Sequence, residues 1–84
     1  MTFDEATKIL EALMIVNGGD NTVEIEADFE LDAYDNHMCR VWVFSDRYFG
    51  NGKPREIIEN FCTLDIAPQE CVDRIMKYNK EEKK

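Results

Sequence analysis

Apolar and acidic residues alternate one by one along Val23-Glu24-Ile25-Glu26-Ala27-Asp28-Phe29-Glu30-Leu31-Asp32. Successive side chains of a strand point to opposite faces, so this stretch predicts a strand with one apolar face and one acidic face. Cys39-Arg40-Val41-Trp42-Val43-Phe44-Ser45 is almost entirely β-forming and supplies a second strand. Together they read as one long antiparallel hairpin over residues 22–46, turning within Ala33-Tyr34-Asp35-Asn36.

The loop length sets the register, because a slip of one residue exchanges the faces of the second arm. A four-residue loop pairs Asp32 with His37, Ala27 with Trp42 and Ile25 with Phe44. That buries the aromatics and leaves Val41 and Val43 exposed beside the acids. A three- or five-residue loop does the reverse and brings Arg40 beside the acids. Trp42 and Phe44 gain most from burial, which favours the first register; Arg40 opposite an acid argues for the second.

Helical spacing governs both flanks. Thr2-Phe3-Asp4-Glu5 is a capping box, followed by Phe3, Ala6, Ile9, Leu10, Leu13, Met14 and Ile15 or Val16, so a helix is expected over residues 3–17. Asn17-Gly18-Gly19 offers residues that tolerate positive φ at its end. Pro54 and Pro68 each suit a first helical position, predicting helices over residues 54–63, with Ile57, Ile58, Phe61 and Cys62 inward, and over residues 68–79, with Cys71, Val72, Ile75 and Met76 inward. The expected fold is α+β in the order αββαα, with the helices in a single layer on one face of the hairpin. A third short strand near residues 48–50 is the variant. Residues 1–79 form one domain and residues 80–84 a charged tail.

Charge changes this picture more than composition does. The net charge is −8, and residues 1–52 hold eleven acids against Lys8, Arg40 and Arg47, whereas residues 53–84 hold seven of each sign. An acidic half steers basic partners and repels nucleic acid and anionic membranes, so direct DNA or RNA binding through it is not expected. No run has the length of a membrane span and no secretory leader is legible. Cys39, Cys62 and Cys71 form no close pair and read as reduced cytoplasmic thiols.

Candidate chemistry is sparse. Asp28-x-Glu30-x-Asp32-x-x-Asp35 lacks the glycine and the closing glutamate of a calcium loop, and no metal or cofactor is expected. Gly50-Asn51-Gly52-Lys53 lacks the first half of a phosphate loop. The helix pair expected at Pro54 and Pro68 would show too many acids for a DNA-reading motif. His37 and Cys39 are the only pair resembling a nucleophile and base, and they lack an orienting third group. A small Cys/His enzyme is therefore the last-ranked reading, and no catalytic residue is assigned.

The surface that stands out is the row Glu24, Glu26, Asp28, Glu30 and Asp32, extended by Tyr34 and Asp35 at the hairpin tip and flanked by Val41 and Val43. Its carboxylates repeat every ~6.7 Å, commensurate with the ~3.4 Å rise per phosphate of a nucleic-acid strand. The size, the acidity and the order of helix, hairpin and proline-started helices resemble small phage-encoded anti-CRISPR proteins. The resemblance is one of layout across the chain, without a shared motif, so it transfers no functional residue. It implies a non-enzymatic inhibitor in the bacterial cytoplasm, acting as a DNA mimic on the basic nucleic-acid-binding groove of a partner such as a CRISPR effector nuclease. The alternative is an acidic interaction module, monomeric or weakly dimeric through the second arm.

Overall fold

The computed structural model describes residues 1–30, 37–47 and 54–80. Within them helix α1 (Phe3–Gly18) is followed by strands β1 (Glu24–Glu30), β2 (Met38–Phe44) and β3 (Ile57–Cys62), then by helix α2 (Pro68–Met76). The strands form an antiparallel meander in the order β1-β2-β3. The class is α+β as expected, with two helices rather than three and an αβββα order. The expected loop at residues 33–36 and the expected third strand at residues 48–50 lie outside the described residues.

The α1 capping box forms as the sequence predicts: Glu5 N–H donates to Thr2 Oγ1 at 3.1 Å and Thr2 N–H donates to Glu5 Oε1 at 2.7 Å. The helix end departs from expectation. Gly19 caps it in extended backbone at φ −91°, so positive φ is not what glycine provides there. The position needs the missing side chain for space: a Cβ would lie 3.0 Å from Asn21 Nδ2 and 3.1 Å from the Ile15 carbonyl.

That crowding is a polar node tying the chain together. Asn21, almost fully buried, donates from Nδ2 to the Val16 carbonyl at 3.0 Å and accepts from Lys80 N–H at 2.8 Å. The ordered bonds thus extend to Lys80, one residue past the expected domain limit. Arg47 donates to the carbonyls of Asn21 (2.9 Å), Asn17 (3.0 Å) and Gly19 (3.0 Å). No basic residue stands in the last turn of α1, so Arg47 supplies from the strand side the positive charge that a helix C-terminus favours.

The observed register pairs Ile25 with Val43, Ala27 with Val41, Asp28 with Arg40 and Phe29 with Cys39. This overturns the favoured register by one residue. Cys39, Val41 and Val43 are completely buried, whereas Trp42 and Phe44 are half-buried on the acidic face. The reason lies in β2 itself. Arg40 shares a face with Trp42 and Phe44, so turning the aromatics inward would carry a charge toward the core. An unpaired buried charge costs more than the extra aromatic burial gains.

The segment expected as the second helix is β3. Its apolar residues at Ile57, Ile58, Phe61 and Cys62 fit helical spacing, but a bulge puts Ile58 out of register. Beyond the bulge Phe61 falls opposite Val41 and joins the core. A two-stranded hairpin would leave the second edge of β2 without partners for its backbone; β3 satisfies it, and Thr63 extends the ladder by donating to the Cys39 carbonyl at 3.0 Å. Ile9, Ala12, Leu13 and Val16 of α1 and Cys71 and Ile75 of α2 close the core over this face. At its rim Glu59 accepts from the Tyr78 hydroxyl and lies 3.4 Å from both Arg74 Nη1 and Lys77 Nζ, pinning β3 to α2.

Candidate partner-binding surface

Strand β1 is an edge of the sheet, and its two halves differ. In an antiparallel pair, residues alternate between pointing both backbone groups at the partner and pointing both away. Asn17 identifies the outward set: its Nδ2 donates to the Ile25 carbonyl at 2.8 Å, and its Oδ1 accepts from Ile25 N–H at 2.9 Å. The side-chain amide stands in for a neighbouring strand at that one position. Cys39 gives the same parity, because its own N–H and C=O are taken by Thr63 on the β3 side. Its pair partner Phe29 must then point its backbone groups outward. Ala27 and Phe29 follow Ile25 in this alternation, and among the described residues nothing bonds to their outward N–H and C=O groups.

The acids divide in the same way. Arg55, just before β3, reaches across β2 with its guanidinium 4.1 Å from the centre of the Phe44 ring. It pairs with Glu24 at 2.6 Å and Glu26 at 3.1 Å. Glu24 stands opposite Phe44 in the register, so cation, ring and carboxylate line up across three strands. Two members of the expected ladder are therefore held within the protein. Asp28 and Glu30 are exposed and make no ion pair among the described residues; Arg40, opposite Asp28, does not close to a salt bridge. Asp32, Tyr34 and Asp35 lie outside the described residues. Val41 and Val43, expected as an exposed strip, are core residues and cannot touch a partner. β2 is paired along both edges, so the alternative of a dimer through the second arm has no free edge of that strand to use.

Beside the open half of β1 runs an apolar groove. One hollow of about 180 Å³ is lined by Met1, Thr2, Phe3, Ala6, Phe29 and His37. A contiguous one of about 270 Å³ adds Thr7 and Leu10. Phe3 is 84 % exposed, Leu10 49 % and Phe29 38 %, so large apolar surface faces solvent here. Sequence reasoning assigned Phe3, Leu10 and Met14 to the inward stripe. The stripe it drew spans more of the helix than one packed face covers, and that excess width was the available signal. Arg55 was missed because nothing local marks a cation that finds its acids about thirty residues earlier.

Cys39 is completely buried in the core. Burial, reinforced by Cys71, Cys62 and Asp28, pushes its thiol up to about 12. Cys71 is raised as well, by burial and then Cys62. His37 borders the groove, with Nδ1 buried and without a hydrogen-bond partner among the described residues. Among the described residues no three His, Cys, Asp or Glu side chains are grouped to hold a metal ion, and no helix is long and apolar enough to cross a membrane. Comparison with protein families, with curated proteins and with solved structures finds no match to this chain.

Proposed function

We propose that this chain is a non-enzymatic binding protein that docks the acidic edge of β1 on a basic surface of a partner protein, in competition with the nucleic acid that the partner normally holds. The observation that carries the proposal is the division of β1. Glu24 and Glu26 pair with Arg55, while Asp28 and Glu30 stand exposed on an edge strand beside open apolar surface. Carboxylates held on a strand need little ordering when they meet a cationic surface, and apolar contact beside them adds what screened charges alone do not. The reading is that of an inhibitor working in a bacterial cytoplasm. The resemblance of layout to anti-CRISPR proteins makes a CRISPR effector nuclease the first partner to assay.

The test is capture at low salt by wild type and by a variant carrying Asp28→Lys and Glu30→Lys, followed by elution with duplex DNA. The proposal expects a basic nucleic-acid-binding protein that DNA displaces and that the variant loses. Reversal of Asp65, after β3, and Asp73, on α2, neither of them on β1, serves as the charge-matched control and should leave capture intact. Equal capture by wild type and the β1 variant would sink the proposal.

A further inference from the structure

Resting on that reading, we infer that the partner engages β1 as a fourth strand: an extended segment alternating basic and apolar residues, hydrogen-bonded to Ala27 and Phe29. Three independent features of the open half of β1 converge on this occupant.

The first is the backbone. Asn17 closes the edge at Ile25 with the two bonds that a strand would make. The same alternation leaves the N–H and C=O of Ala27 and Phe29 aimed outward, two successive docking positions for an added strand. The second is apolar. A strand laid beside β1 at about 4.8 Å sends alternate side chains to each face of the sheet. On the helix side they enter the groove walled by Phe3, Ala6, Leu10 and Phe29. The third is charge. On the opposite side the alternate residues meet Asp28 and Glu30, which have no ion pair among the described residues, with Glu26 beyond them. Basic residues at every second position complement that row.

A second copy of the chain is the poorer occupant. Antiparallel pairing of two β1 edges would set carboxylates against carboxylates between molecules each carrying −8. The acid row thus excludes self-pairing at the very edge it offers to a basic strand.

The experiment uses the isotopically labelled full chain and three capped peptides of about eight residues, a usual strand length. One alternates lysine and valine. One has the same composition, with its lysines and valines in separate blocks. The third is the alternating peptide N-methylated along one backbone edge. The inference expects the alternating peptide to slow hydrogen exchange at the Ala27 and Phe29 amides. It expects N-methylation to weaken binding about tenfold or more, and Asp28→Lys with Glu30→Lys to do the same. Phe3→Ser, at a side chain too exposed to be needed for folding, should weaken the alternating peptide and leave the block peptide unchanged.

If alternating and block peptides bind equally, with no protection at Ala27 and Phe29, the fourth-strand inference falls while the acidic-surface reading stands. If neither peptide binds at low salt, both fall. Protection of the same amides that grows with protein concentration, without peptide, makes the occupant a second copy and overturns the inference.

Discussion

Arg47 should be among the most costly half-buried residues to remove. Its guanidinium donates to three carbonyls at the end of α1, those of Asn17, Gly19 and Asn21, at 2.9–3.0 Å. A hydrogen bond to a charged group contributes about 1.5–3 kcal/mol. Three such bonds do not sum, because one side chain is ordered for all of them at up to about 2 kcal/mol. Truncation also lets water reach carbonyls at a site that is only half-buried. The expected cost of Arg47→Ala is therefore about 2–4 kcal/mol. A chain of this length has roughly 4–13 kcal/mol in total, so the loss is a large fraction. In a thermal melt it appears as a fall of roughly 10–20 °C. Urea titration followed by circular dichroism gives the free energy, and the slope of the transition should not change, because the fold exposed on unfolding is the same.

Arg47→Lys separates charge from geometry. A lysine keeps the positive charge near the helix end, worth about 0.3–1 kcal/mol, but cannot span three carbonyls with a planar fork. It should fall between wild type and alanine. If Arg47→Ala costs less than about 0.5 kcal/mol, the range of an ordinary surface change, the node is not holding the helix end. If lysine matches arginine, the charge acts and the fork does not.

Four further outcomes follow from the fold. Asn17→Ala removes both bonds to Ile25 and should cost about 1–2 kcal/mol, with faster hydrogen exchange at the Ile25 amide; unchanged exchange there would mean that Asn17 does not close the edge. Burial alone would raise the Glu59 carboxyl, but the Tyr78 hydroxyl, Lys77 and Arg74 outweigh it and hold it below its ordinary 4.5, so its stabilisation is present above that value and is lost as pH falls through the lower folded value. Tyr78 is displaced the other way, by burial and then by Glu59, from 10.0 to about 12, so its contribution is intact below 10 and disappears as pH rises toward 12. Urea midpoints of wild type, Glu59→Gln and Tyr78→Phe across both windows check the two signs, the wild-type advantage over each variant shrinking at its own end of the scale. The three cysteines, all buried, should resist a thiol reagent at about pH 8 in the native state and react together on unfolding. One rapidly labelled thiol in folded protein would contradict their place in the core and favour the Cys39–His37 enzyme reading.

The sequence by itself determined the features whose physics is local. The capping box of α1 needs only residues three apart, and α2 begins where Pro68 permits. The alternation in β1 fixes which side chains share a face whatever the strand pairs with. The acid row and the α+β class were legible for the same reason. Tertiary structure decided whatever depends on partners distant in the chain. Residues 57–62 carry a spacing that serves a helix or a bulged strand, and the unpaired edge of β2 settled it as β3. The two apolar faces of β2 were ambiguous until packing weighed Arg40 against the aromatics; the charge sharing their face was visible in the sequence, but its cost depends on which face meets the helices. The acids were readable as a row, not as two pairs with different fates. Arg55 and Asn17 close one half of β1 from about thirty and eight residues away in the chain, and only the folded arrangement leaves Asp28, Glu30 and the edge of Ala27 and Phe29 open together among the described residues. Charge and periodicity are properties of the string; which charges stay unpaired and which edge stays open are properties of contacts.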